Sequence, residues 1–182
     1  MIEVFGIEGG LGVLRYRCGE LLAMTALLVG GSVGVAPGAN AQDEPSWNGE
    51  YSVTFFGTEK TGTSSAAQGA EGSPTFDYTF SSSCETNPCT ATIVGGPPPS
   101  NPTVPVPIQY TWNGSEWELT NRWWWNCVKP DGAIEWVPAS STVTYTPLRN
   151  GTLDGSWLTT IESGACQGTV QMPLQAVPIS NT

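Results

Sequence analysis

The sequence predicts an all-β protein: an antiparallel up-and-down meander of about eight strands, closed or nearly closed into a barrel. Three observations carry that prediction. From Trp47 onward, β-branched and aromatic runs of strand length are separated by Gly, Pro, Asn and Ser, with almost no helical period. Within the runs, apolar and polar residues alternate, which gives each strand one core face and one wet face. Two dipeptides, Asn113-Gly114 and Asn150-Gly151, supply the positive φ angles that tight hairpin turns demand. Closure into a barrel removes the unpaired edges of an open meander, and a two-sheet sandwich is the alternative.

The N-terminus is set apart from the fold. Arg15 and Arg17 precede an apolar run over residues 21–36, followed by Pro37 and Ala39-Asn40-Ala41. That is a charged n-region, an h-region and an A-x-A cleavage site, so residues 1–41 read as a signal peptide cleaved after Ala41. A membrane anchor is the competing reading, but Gly30, Gly31 and Gly34 interrupt a run that falls short of the roughly 20 apolar residues a spanning helix needs. Residues 1–12 are long for an n-region and are consistent with an upstream start codon. Cys18 lies before the apolar run, the wrong side for lipid attachment. The expected product is a single secreted domain over residues 42–182, without a transmembrane anchor and monomeric.

The first strand, 47–56, sets Trp47, Tyr51, Val53 and Phe55 on one face and Glu50 on the other. The second, 75–82, alternates Phe76, Tyr78 and Phe80 with Asp77. The third, 90–94, is a short β-branched run. The fourth, 107–112, carries Ile108, Tyr110 and Trp112, and Asn113-Gly114 turns it back into the fifth, 117–126. There Trp117, Leu119, Trp123 and Trp125 point inward, while Glu118 and Arg122 point outward. In the sixth, 134–145, Ile134 and Trp136 are read as inward and Glu135 as outward. Asn150-Gly151 leads to the seventh, 152–161, with Leu153, Trp157 and Ile161 inside and Asp154 outside, and the eighth covers 166–174. Asn113-Gly-Ser and Asn150-Gly-Thr also match the N-glycosylation pattern, but the turn reading explains both the Asn and the Gly.

With Cys18 removed, four cysteines remain, an even number in an exported chain, which reads as two disulfides. Their spacing lacks the C-x-x-C pairs of a zinc site, so no metal is expected. In a meander the end of strand five and the start of strand eight lie at the same end, which favours Cys127 with Cys166 among the three possible pairings. Cys84 and Cys89 then clip the hairpin between strands two and three. Loops 57–74 and 95–106 fall at the Cys127 end and tight turns at the other, the layout of a cup open on the loop side.

Composition narrows the function. The chain has no His, which removes Ser-His-Asp and Cys-His catalysis and most hydrolytic zinc sites. A formal net charge of −10 disfavours nucleic acid and anionic membranes as partners. The carboxylates available for glycoside hydrolysis fall on the wet face by phase, where a solvated acid keeps an ordinary pKa. No catalytic motif is present, so the expected protein is non-enzymatic and takes no cofactor.

Tryptophan is the positive signal, since all eight lie in the expected mature domain. Trp123, Trp125, Trp136 and Trp157 with Tyr51, Tyr78 and Tyr110 read as the wall of a pocket for a small apolar or amphipathic ligand; a core simply filled by flat residues is the plainer reading. Asn121 and Thr159 share the inward phase and need partners there. Phe56 and Trp124, outward by phase, form a candidate surface patch. The second functional reading is therefore a module that recognises an envelope glycan or protein through exposed aromatics and rim loops.

Four segments carry a resemblance: Trp47-Asn-Gly-Glu-Tyr-Ser-Val-Thr-Phe-Phe, Tyr78-Thr-Phe-Ser-Ser-Ser-Cys84, Pro130-Asp-Gly-Ala-Ile-Glu-Trp136 and Ser163-Gly-Ala-Cys-Gln-Gly-Thr-Val170. Together they resemble the small secreted proteins of unknown function of mycobacteria and other actinobacteria, over about residues 42–178. The resemblance implies a Gram-positive actinobacterial source and export to the cell envelope or medium, and carries over no activity. At the level of fold, the meander is similar to lipocalin and avidin barrels, an analogy that favours ligand binding.

Overall fold

Alternation of side chains and short turns build a meander in which every strand pairs antiparallel with the next. The computed structural model describes residues 45–129 and 131–179, so the expected signal peptide and its cleavage site lie outside the described residues. The strands are β1 (Gly49–Phe55), β2 (Thr75–Ser83), β3 (Thr90–Gly95), β4 (Gln109–Trp112), β5 (Trp117–Val128), β6 (Ile134–Pro147), β7 (Leu153–Ile161) and β8 (Gly168–Pro178). β8 returns to β1, with Val53 opposite Ala176, and closes the barrel. The eight-stranded antiparallel barrel expected from the sequence is the observed fold, and the sandwich is set aside. Among the described residues no helix is long and apolar enough to cross a membrane.

At the narrow end the turns behave as their residues require. The Asn113 side-chain oxygen accepts hydrogen bonds from the backbone N–H groups of Ser115 (3.1 Å) and Glu116 (3.0 Å), and Gly114 takes a φ of 109°. Trp47 precedes β1 rather than belonging to it. Its backbone N–H donates to the Ser82 hydroxyl (3.0 Å), and its side chain, fully buried, plugs the barrel end.

The face assignment holds elsewhere but fails in β6. There Val137, Ala139, Val143 and Tyr145 are buried, whereas Ile134 and Trp136 are exposed on the outside. The cause is register. Cys127 points inward, and its partner across the ladder is Glu135, so Glu135 shares the inward phase at the rim and its neighbours Ile134 and Trp136 face out. Both the inward reading of Trp136 and the outward reading of Glu135 are thereby corrected.

The disulfides join Cys84 to Cys89 and Cys127 to Cys166. The second ties the wide end of β5 to the chain just before β8. Residues 57–74, read from sequence as a loop at the open rim, pack down as a strap. Thr61 bridges to Gln171, and Lys60 pairs with Glu71 at 2.7 Å. A four-residue helix, α1 (Ser65–Gln68), is capped by the buried Ser64, whose hydroxyl accepts from the Ala66 N–H and donates to the Cys166 carbonyl (2.6 Å). Gly62 brings the strap backbone against the Thr169 carbonyl so closely that a Cβ would collide with it.

Candidate functional site

The barrel interior is divided by a floor of aromatic rings. Trp47 stacks on Phe80 with centroids 4.0 Å apart, and Tyr110 and Tyr145 lean against it at 5.1 and 5.0 Å. Tyr145 reaches its place because its cross-strand partner is Gly155; a Cβ there would sit 2.7 Å from the Tyr145 ring. Tyr51 and Trp117 complete this lower cluster.

Burial pushes the phenols of Tyr51, Tyr78, Tyr110 and Tyr145 above the ordinary value of 10.0, most strongly for Tyr145, where desolvation leads and the neighbouring Tyr110 and Tyr78 add to it. The folded state therefore holds these protons above pH 10, where the unfolded chain releases them. Stability is fully present below about pH 10 and falls as pH rises beyond it. Urea midpoints measured from pH 7 to 11.5 are expected to stay flat with respect to the phenols until about pH 10 and then drop, with a smaller drop in Tyr145→Phe.

Above the floor lies a cavity of about 630 Å³, a volume within the range of small-molecule sites. One wall, from β1, β2 and β8, is mainly apolar: Val53, Phe55, Phe76 and Leu174 lie there with Tyr78. The facing wall, from β5 to β7, adds Leu119, Asn121, Trp123, Trp125, Trp157 and Thr159. The mouth is framed by Lys60 and Glu71 of the strap and by Pro97, Pro98 and Pro99. β4 pairs with β5 only at Thr111–Glu118 and Trp112–Trp117, so the proline-rich segment supplies the wall above it. It is pinned there at Trp124: the Asn101 amide donates to the Trp124 carbonyl (2.9 Å), and the Trp124 N–H donates to the Thr103 hydroxyl (2.9 Å).

Of the residues nominated from sequence, Tyr78, Tyr110, Asn121, Trp123, Trp125, Trp157 and Thr159 line the cavity. Tyr51 lies in the aromatic cluster and is not on the cavity surface, and Trp136 is outside the barrel, 49% exposed. Phe56, expected on a surface patch, is half-buried, its N–H bonded to the Pro173 carbonyl. Trp124 is 51% exposed and does lie on the surface. Its neighbours there are Val128, Ile134 and Trp136, which register along β5 and β6 places on the same outer face. Sequence reasoning left out the aliphatic lining, Val53, Leu119, Val143, Met172 and Leu174, although inward phase marked part of it. It also missed Lys60 and the prolines of the mouth, which lie in segments without a period.

The polar atoms of the cavity are few and uncharged below the mouth. The Trp123 indole N–H donates to the Ser141 hydroxyl (2.8 Å), which shares a hydrogen bond with Thr159 (2.8 Å). Asn121 Oδ1 and Trp157 Nε1 are buried without a partner. Among the described residues no group of three or more His, Cys, Asp and Glu could hold a metal ion. The carboxylates of Glu50, Asp77, Glu118 and Asp154 lie on the outer face, whereas Glu135 takes the inward phase at the rim and Glu71 stands at the mouth.

Residues 44–182 match the model of a family described as the PknI serine/threonine-protein kinase sensor domain. Among solved structures, the monomer form of the M. tuberculosis PknI sensor domain superimposes with a TM-score of 0.56 at 14% identity, over 75% of this chain and 89% of that one. The dimer form of the same domain gives a TM-score of 0.43 at 21% identity, over 59% and 72%. No curated protein sequence matches. At 14% identity the likeness to the monomer form establishes the barrel alone; the family rests on the sequence model. That match overturns the resemblance to secreted proteins of unknown function: residues 44–182 correspond to a named kinase sensor domain. Spanning the whole of the barrel and its strap, the match shows that this chain belongs to the PknI serine/threonine-protein kinase sensor domain family.

Proposed function

We propose that this barrel is a sensing cup that binds a small apolar or amphipathic molecule through its wide end, on the outer side of the cell envelope. The observation that carries the reading is the cavity of about 630 Å³ above a sealed aromatic floor, lined by aromatic and aliphatic side chains. The two disulfides and the expected signal peptide support an oxidising, exported location. Family membership supports a sensing role, in which occupancy of the cup is the signal.

Native mass spectrometry of the protein purified from its own culture tests this directly. The expected result is an adduct released on denaturation, whose re-addition quenches tryptophan fluorescence. Filling the cavity with Leu119→Trp is expected to abolish both, while the thermal transition persists. A wild-type protein free of adduct that gives no quenching with any apolar probe would remove the cup reading.

A second reading is favoured by the outer apolar stripe of Trp124, Val128, Ile134 and Trp136. Exposed apolar surface that is contiguous marks recognition sites. A contact with an envelope glycan or protein is expected to weaken about tenfold or more in a Trp124→Ala, Trp136→Ala double variant if both rings are anchors, with ligand quenching in the cup unchanged. Retention of isolated cell-wall material on the immobilised variant, compared with wild type, separates the two readings.

A further inference from the structure

The polarity of the cavity is distributed unevenly, and the distribution specifies the ligand further. The β1, β2 and β8 wall is mainly apolar, from Val53, Phe55, Met172 and Leu174, with Tyr78 of β2 its one hydroxyl-bearing residue. The opposite wall carries a row of polar side chains at one height, since Asn121 pairs with Ser141 and Ser141 with Thr159 across β5, β6 and β7. Ser141 and Thr159 are 2% and 3% exposed, so their hydrogen bonding is confined to the barrel.

The row holds more donor hydrogens than it uses. The Trp123 N–H donates to Ser141, and Ser141 and Thr159 share one further bond. Those three groups hold three hydrogens and make two hydrogen bonds, so one hydroxyl hydrogen is left over. Two cavity-lining residues carry unmet groups as well: Asn121 Oδ1 is a buried acceptor without a donor, and Trp157 Nε1 a buried donor without an acceptor. Unmet buried groups of this kind are costly, and a ligand that satisfies them recovers that cost. No formal charge accompanies them: the charged residues lining the cavity, Lys60 and Glu71, neutralise each other at the mouth. An ionised head group brought to this row would lose its water and find no counter-charge.

We propose that the ligand of the cup is an uncharged amphiphile whose head carries both a hydrogen-bond donor and an acceptor, a carboxamide or a hydroxyl-bearing group. The head docks on the Asn121, Thr159 and Trp157 wall, with the apolar part against β1, β2 and β8. Asn121 Oδ1 accepts from the head, while Trp157 Nε1 and the spare hydroxyl of the Ser141–Thr159 pair donate to it. A fatty carboxylate and a quaternary ammonium amphiphile are rejected. This inference rests on the reading of the barrel as a binding cup.

Octanamide, octanol, octanoate and octyltrimethylammonium, titrated at pH 8 against delipidated protein with tryptophan quenching and calorimetry as readouts, share one tail and differ in the head. The amide and the alcohol are expected to bind at least about tenfold more tightly than either ion. Asn121→Leu is expected to remove most of the amide's advantage. Thr159→Val, close to isosteric, is expected to weaken both neutral probes severalfold and keeps the test open if the first variant unfolds. Equal or tighter binding of octanoate or of the ammonium probe overturns the inference while leaving the cup in place. Unchanged amide affinity in both variants, with their melting transitions still cooperative, overturns it as well. Failure of all four probes to bind overturns the cup and this inference together.

Discussion

Replacing Trp47 with alanine is expected to lower the unfolding free energy by about 3–5 kcal/mol, a large part of what a domain of this size has. The indole is fully buried and contacts five other rings, those of Tyr51, Phe80, Tyr110, Trp117 and Tyr145. It lies before β1, where the Trp47 N–H bond to the Ser82 hydroxyl and the Ser82 N–H bond to Asn48 Oδ1 stand in for a ladder, so side-chain contacts keep the chain over the opening. The deleted volume is enclosed by strands on all sides, which leaves little room for collapse, and the cavity term adds to the transfer term. Urea unfolding followed by circular dichroism checks the figure. A shifted midpoint with an unchanged slope is expected, and Trp47→Phe is expected to recover part of the loss. A loss below about 1 kcal/mol would mean that the end of the barrel closes without the plug.

Removing the long disulfide in a Cys127→Ser, Cys166→Ser variant is expected to cost roughly 4 kcal/mol, against roughly 2 kcal/mol for Cys84→Ser, Cys89→Ser. The ranking follows from sequence separations of 39 and five residues, because the longer closed loop removes more freedom from the unfolded chain. The long bridge also has a local task. Cys127 is buried beside Glu135 in the register of β5 and β6, at the wide end where β5 has no β4 partner. Loss of the bridge therefore frees the rim first, and hydrogen exchange is expected to rise in residues 124–137 and 162–168 before the closed end responds. Denaturant melts of both double variants beside the oxidised wild type give the two costs on one scale. Equal costs would show that strain or residual structure outweighs loop entropy.

Most of the barrel was legible because its information is local. Eight alternating runs, two Asn-Gly turns and the order of the cysteines are properties of short segments, and a meander joins those segments to their neighbours in sequence. The inward phase of β5 and β7 likewise placed Asn121, Trp123, Trp157 and Thr159 on the cavity wall without any knowledge of their partners. β6 was misjudged because its first large residues, Ile134 and Trp136, stand out more than the small Val137, Ala139 and Ser141. Size suggested one face, while pairing with Cys127 imposed the other.

The chain by itself determined the fold class, the strand order, the disulfide partners permitted by that order, and the absence of imidazole chemistry. These depend on period, turn chemistry and composition, which the covalent sequence carries whole. The tertiary structure alone decided that Trp47 leaves the first strand to seal one end, and that residues 57–74 fold down as a strap rather than a loose rim. It also decided that the short β4 leaves a gap filled by prolines, and that space remains above the aromatic floor. A cavity is the difference between the volume a closed sheet encloses and the volume its side chains fill. That difference depends on register, on a glycine such as Gly155 opposite Tyr145, and on contacts between residues more than a hundred positions apart, such as Ser64 with Cys166.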